Sequence, residues 1–259
     1  MNSFAVSTIR IATSLVGGCI LLNTIAPSAH AFNLVPQEEG EINTGVGSSL
    51  DVDGYLNFSG FSVESLDFEV SRGGQTFQTK SRLFVDQAGT ANTYGGGVSF
   101  KSRDIGTSEE NQAFWLRPVA MIWEKNQLLE QGQLEAGLFR FTFDSPLASL
   151  DLDFFDVESK GTSILKVNGQ DYNEAIAVGG NSNISTYSLL NVSSIELMLG
   201  NANTSGVNAN DRRWSTGDGV LARGTGEVAT ASVPEPTAMA GLFLAGAGMG
   251  LIRRKRQSV

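Results

Sequence analysis

The chemistry open to this chain is that of oxygen ligands and one aromatic loop. Residues 200–219 form an Asn/Gly-rich stretch that holds Trp214 beside Asp211, Arg212, Arg213 and Asp218. A tryptophan exposed on such a loop stacks on the apolar face of a sugar, and Asp211, Arg213 and Asp218 would bond its hydroxyls. The same Trp214 also suits a plug at the edge of a core. Asp151, Asp153 and Asp156 crowd another stretch. In a strand, Asp151 and Asp153 project from one face about 7 Å apart. That is too far to chelate one ion without a third element, so a solvated strand face is the plainer reading. Asp51-Val52-Asp53-Gly54 carries half the acidic pattern of a calcium loop but lacks the closing Glu. Calcium therefore stays a candidate cation, with no ligand set singled out.

Much chemistry is excluded. The single cysteine is Cys19 and the single histidine is His30. Both fall in an N-terminal stretch that reads as a removable signal peptide, residues 1–31. Arg10 is followed by the apolar run from Ile11 to Leu22, then by Ala29-His30-Ala31, with small residues at the two positions a signal peptidase reads. Cleavage after Ala31 leaves a mature chain that starts at Phe32 without Cys or His. Disulfides, Cys/His zinc sites, a Ser-His-Asp triad and a Cys nucleophile are then all out of reach. A glycosidase needs only two carboxylates, but no spacing singles out a pair. The expectation is a protein that is not an enzyme.

The other end is the sharpest feature. Val233-Pro234-Glu235-Pro236 precedes sixteen uncharged residues, 237–252, and then Arg253-Arg254-Lys255-Arg256. As a helix the uncharged segment would be about 24 Å long, slightly short of a hydrocarbon core. The basic cluster reads as a stop-transfer signal held on the cytoplasmic side. Pro234 and Pro236 break helices and make an extended spacer that a protease can grip.

This tripartite tail, residues 234–259, resembles the PEP-CTERM sorting signal of Gram-negative bacteria. The resemblance implies transit through the inner membrane and recognition by an exosortase that cuts near Pro234-Glu235-Pro236. It also implies release or attachment at the cell surface, in association with extracellular polysaccharide. Leu134-Glu135-Ala136-Gly137 looks like a variant of the Leu-Glu-Val-Gly motif of a cyanobacterial subgroup, with Ala136 in place of Val. On its own terms the same tetrapeptide is a strand entry with Gly137 at a bulge or bend.

Residues 32–233 carry 13 basic and 26 acidic side chains, a net charge of −13 that the whole-chain value of −9 conceals. Nucleic acid and anionic lipid are poor partners for such a surface. Period-two patterning runs through Leu66 to Val70, Leu138 to Phe143, Leu150 to Phe154 and Ile195 to Leu199. It predicts strands with one wet face. Asp144-Ser145-Pro146-Leu147 reads as a hairpin turn and Asn168-Gly169 as another. Further strands are expected over 76–85, 97–101, 114–123, 162–167 and 220–223, with a weak helical period over 122–133. Trp115 and Trp123 read as core residues, with Pro118 interrupting any shared strand face. The expected architecture is all-β, a single antiparallel β-sandwich of jelly-roll type over 49–223. An acidic lead-in (32–48) precedes it, and a linker (224–233) joins it to the tail.

Overall fold

The computed structural model describes residues 31–46, 54–72, 75–101, 113–124, 127–128, 132, 134–202 and 219–229. Among these the regular elements are strands and one 3-10 turn, Gly95–Gly97. The strands are β1 (Ala31–Asn33), β2 (Gly40–Ile42), β3 (Phe61–Leu66), β4 (Phe68–Arg72), β5 (Gln75–Thr79), β6 (Ser81–Gln87), β7 (Asn92–Thr93) and β8 (Ser99–Phe100). After them come β9 (Phe114–Ala120), β10 (Trp123–Glu124), β11 (Gln127–Leu128), β12 (Gly137–Phe155), β13 (Ser163–Val167), β14 (Gln170–Ala175), β15 (Ile184–Leu199) and β16 (Leu221–Val228). All strand pairings are antiparallel. The main sheet runs β14-β13-β15-β12-β16-β9-β6-β2, with β3 added to β12 and β1 to β16.

The spine of the sheet is β12. Its first half lies between β3 and β15, and its second half between β16 and β15. Asp144 to Leu147, expected as a hairpin turn, is instead an irregularity inside this continuous strand, where the register shifts. Core residues are odd-numbered before it (Phe139, Phe141, Phe143) and even-numbered after it (Leu150, Leu152, Phe154). Slipping the phase by one residue keeps both apolar runs on the core, which an unbroken period of two would not do. The Asp144 carboxylate accepts from Gly60 N, while Asp144 N donates to the Gly60 carbonyl, fixing the end of β3 there.

Other boundaries moved for comparable reasons. The alternation through Leu66 to Val70 breaks at Asp67 into β3 and β4, and the run 76–85 breaks at Lys80 into β5 and β6. β4 and β5 then pair with each other as a separate hairpin. The stretch with a weak helical period holds the short hairpin β10–β11 instead. The expected lead-in supplies β1 and β2, with Leu34, Val35 and Ile42 fully or nearly buried, and residues 224–228 of the expected linker belong to β16. Pro118 sits inside β9 without ending it. Met121 N and the Ala113 carbonyl, both at odd positions, bond toward β6, so the even position 118 turns its nitrogen the other way. There β16 makes only the Ala222–Leu116 bridge, and no ladder bond is lost.

The Asn168-Gly169 turn is as expected. Both residues have positive φ, 54° and 75°, and join β13 to β14. Asn168 also donates to the Asn191 carbonyl and accepts from Ser193 N, Ser193 Oγ and Ser194 N. Asn168→Ala is expected to lower the unfolding free energy by about 1–2 kcal/mol, from the left-handed backbone and the lost bonds. Asn168→Gly should recover the backbone part. Urea unfolding of the two variants separates the contributions.

Candidate functional site

Three chain breaks converge on one surface cleft. Asp67 lies between β3 and β4, Lys80 between β5 and β6, and Met121-Ile122 between β9 and β10. Met121 N donates to the Lys80 carbonyl at 2.8 Å, and Thr79 Oγ1 donates to the Met121 carbonyl. These bonds hold the breaks together. The opening between them has a volume of about 290 Å³. Met121 and Ile122 are buried beneath it, and Phe77 is half-buried at its side. Ile122 packs into a second core with Phe68, Val70, Leu134 and Ala136, so this floor is anchored from below.

The rim is polar and aromatic. Trp123 is 46% exposed, whereas Trp115 is fully buried. The expectation of two core tryptophans is therefore corrected for Trp123. The physical reason is the break at Met121-Ile122, which takes residue 123 out of the β9 ladder and onto a short hairpin. Asp67 and Gln78 are exposed beside it, and Lys80 is half-buried. Gln78 Nε2 donates to Glu69 Oε1 at 2.9 Å, which leaves its amide oxygen as an acceptor. Among the described residues neither Asp67 nor Lys80 is in an ion pair. One carboxylate, one ammonium and one amide thus face an open aromatic surface. Such a set can both accept and donate hydrogen bonds beside an aromatic face.

A second group of charges lies on the outward face of β2, β6 and β9, under the β7–β8 hairpin. Leu83 and Val85 point to the main core, so Arg82, Phe84 and Asp86 point outward. Tyr94, Val98 and Phe100 cover them. Arg82 pairs with Glu41, and Arg117 bridges Asp86 at 2.8 Å and Glu135 at 2.6 Å. The guanidinium of Arg117 stacks on Phe100 at 4.0 Å and that of Arg82 on Phe84 at 4.8 Å. Burial, reinforced by Asp86 and Glu39, raises the Tyr94 hydroxyl pKa well above its ordinary value. Burial opposes charge on Arg117, yet Glu135 and Asp86 outweigh it and raise its pKa. In this layer two guanidiniums meet the three carboxylates of Glu41, Asp86 and Glu135.

The sequence-singled residues fare unevenly. Trp214, Asp211, Arg213 and Asp218 lie outside the described residues. So do Asp51, Asp53, Ala29 and the whole sorting tail with Pro234, Glu235, Pro236, Arg253, Arg254, Lys255 and Arg256. Ala31 opens β1, opposite Glu227. Asp151 accepts from Ser188 Oγ, Asp153 from Thr186 Oγ1 and Arg223 Nε, and Asp156 from Ser182 N. They do not converge, and among the described residues no group of three His, Cys, Asp or Glu side chains is placed to hold a metal. Trp123 was the residue missed. The polar run Glu124-Lys125-Asn126-Gln127 directly after it signals a turn, and an aromatic at the mouth of a short hairpin is poorly covered.

Leu134-Glu135-Ala136-Gly137 is a junction. The Leu134 carbonyl accepts from Ala120 N, and the Ala136 carbonyl accepts from Ser81 Oγ at 2.7 Å. A Cβ on Gly137 would sit 2.5 Å from the Phe139 ring. Leu134 and Ala136 are fully buried in the second core, and Glu135 between them pairs with Arg117. No family model, no curated protein and no solved structure matches the chain.

Proposed function

We propose that this chain is an exported cell-surface or extracellular-matrix protein, structural or adhesive in role. Its tail is processed near Pro234-Glu235-Pro236 by an exosortase. The observation that carries the reading is the ordered tail: a Pro-Glu-Pro spacer, sixteen uncharged residues and four consecutive basic ones. The β domain is compatible with both cuts. Loss of Ala31 removes one residue of β1 and leaves Phe32 and Asn33 paired with Gly226 and Thr225. Phe32 is edge-on to Phe61 and Phe143, at 5.7 and 5.3 Å, so the new N-terminus stays tied down. β16 ends at Val228, ahead of Pro234, so cutting there spares the sheet.

The finer architecture we infer is a jelly-roll-type sandwich. β12 and β15 serve both halves of the sheet, and one core takes Phe141 from the first half and Leu152 from the second. The partner we propose, from the resemblance of the tail, is extracellular polysaccharide, with calcium as an optional cation. For the tail, mass spectrometry of the mature C-terminus is expected to end near residues 234–236 in a host with an exosortase, and to retain residues 253–259 in a host without one. An intact tail on the surface protein of both hosts would sink the proposal.

A further inference from the structure

We propose that the Trp123 cleft binds a neutral polysaccharide, with one pyranose ring stacked on the indole and the chain leaving through the open mouth. A single exposed tryptophan is unremarkable on a protein surface. This one borders a cavity floored by the buried Met121, Ile122 and Thr79, the Thr79 hydroxyl being spent on the Met121 carbonyl, and its rim holds Asp67, Gln78 and Lys80. That division matches a sugar ring. Its axial C–H groups carry partial positive charge and sit on the negative face of the indole. Its equatorial hydroxyls point outward, where a carboxylate and an amide oxygen accept and an ammonium donates.

Size and charge narrow the ligand. A volume of about 290 Å³ is at the lower limit of pockets that enclose a drug-sized molecule, about 300–1,000 Å³. It suits one ring of a longer chain. The mature span has a net charge of −13, which repels a uronate or sulfated polymer at long range, and Lys80 alone does not offset it. A peptide is a poorer occupant. The strands at the mouth, β10 and β11, are two residues each and present few backbone groups for strand addition.

This inference gives a site and a ligand class to the surface-protein reading above and rests on it only for where the ligand is met. The test uses the full chain in mild detergent. Extracellular polysaccharide of the host is split by anion exchange into neutral and acidic fractions, and binding is followed by affinity electrophoresis. Retardation by the neutral fraction is expected, weakened at least tenfold in Trp123→Ala, largely restored in Trp123→Tyr and unchanged in Trp214→Ala. Loss in Trp214→Ala with none in Trp123→Ala would overturn the site while leaving polysaccharide as the partner. Retardation by the acidic fraction alone would overturn the ligand class. No retardation by either fraction would overturn the inference altogether, whereas the sorting reading stands or falls on its own C-terminal mass. Trp123 is half in solvent, so the substitutions leave the core intact; unchanged urea midpoints for both Trp123 variants are required for the comparison.

Discussion

Arg82→Met is expected to lower the unfolding free energy by about 3–5 kcal/mol, a large fraction of a domain's stability. Arg82 is fully buried and Glu41 is 2% exposed. The guanidinium donates from Nε to Glu41 Oε1 at 2.7 Å, from Nη2 to Oε2 at 2.5 Å, and from Nη1 to the Gly95 carbonyl at 2.5 Å. Methionine keeps much of the stem volume but leaves the Glu41 carboxylate buried without its countercharge. The cost is therefore desolvated charge rather than a cavity. The double variant Arg82→Met/Glu41→Leu separates the two. If charge is the cause, removing both partners recovers most of the loss. A double variant as unstable as the single one would show that packing under the β7–β8 hairpin was responsible. Midpoints in urea with an unchanged slope are the measurement. The contrast is the Arg140–Glu64 pair, whose side chains are 41% and 58% exposed. Removing that pair should cost at most about 1 kcal/mol, because water and salt screen it.

The buried ion layer also shows where sequence patterns stop being informative. Ser81-Arg-Leu-Phe-Val-Asp-Gln87 reads by period two as a strand, and it is one. The pattern further implies that Arg82 and Asp86 lie on a wet face, as alternating charges generally do. They are dry because residues 92–100, a Gly-rich stretch with little periodicity of its own, fold over them and insert Tyr94, Val98 and Phe100. Nothing local in Arg82 announces that cover. The antiparallel all-β class was legible for the opposite reason, since Phe139, Phe141 and Phe143 state their own alternation. Pairing partners were not legible, as β12 meets β3, β15 and β16 across separations of 29 (Phe155 to Ile184) to 82 residues (Phe143 to Phe61). The cleft follows the same rule. Its components are unremarkable one at a time, and only the coincidence of breaks at Asp67, Lys80 and Met121-Ile122 makes a site of them.

Gly200→Ala is expected to cost about 2–5 kcal/mol, from a left-handed backbone (about 1–2) and overpacking (about 1–3). Gly200 has φ 72°, and an added Cβ would run into the backbone carbonyl of Glu135. A Cβ on Gly161, at φ 148°, would likewise sit 2.7 Å from the Gly200 carbonyl. Three backbones are thus stacked without side chains between them, and Gly200 N is fixed by the buried Thr162 hydroxyl at 3.1 Å. Neither neighbour can rotate away as a side chain would. Gly219, two residues ahead of β16, has no left-handed φ, and its Cβ would first meet the carboxylate end of Glu135. Gly219→Ala should therefore cost less, because that group can swing aside, though at the expense of its ion pair with Arg117. The order Gly200 over Gly219 is the discriminating result. Equal losses at both would point to the Glu135 side chain as the obstacle. A loss confined to Gly200 would show that the Leu134-Glu135-Ala136-Gly137 junction acts here through its backbone.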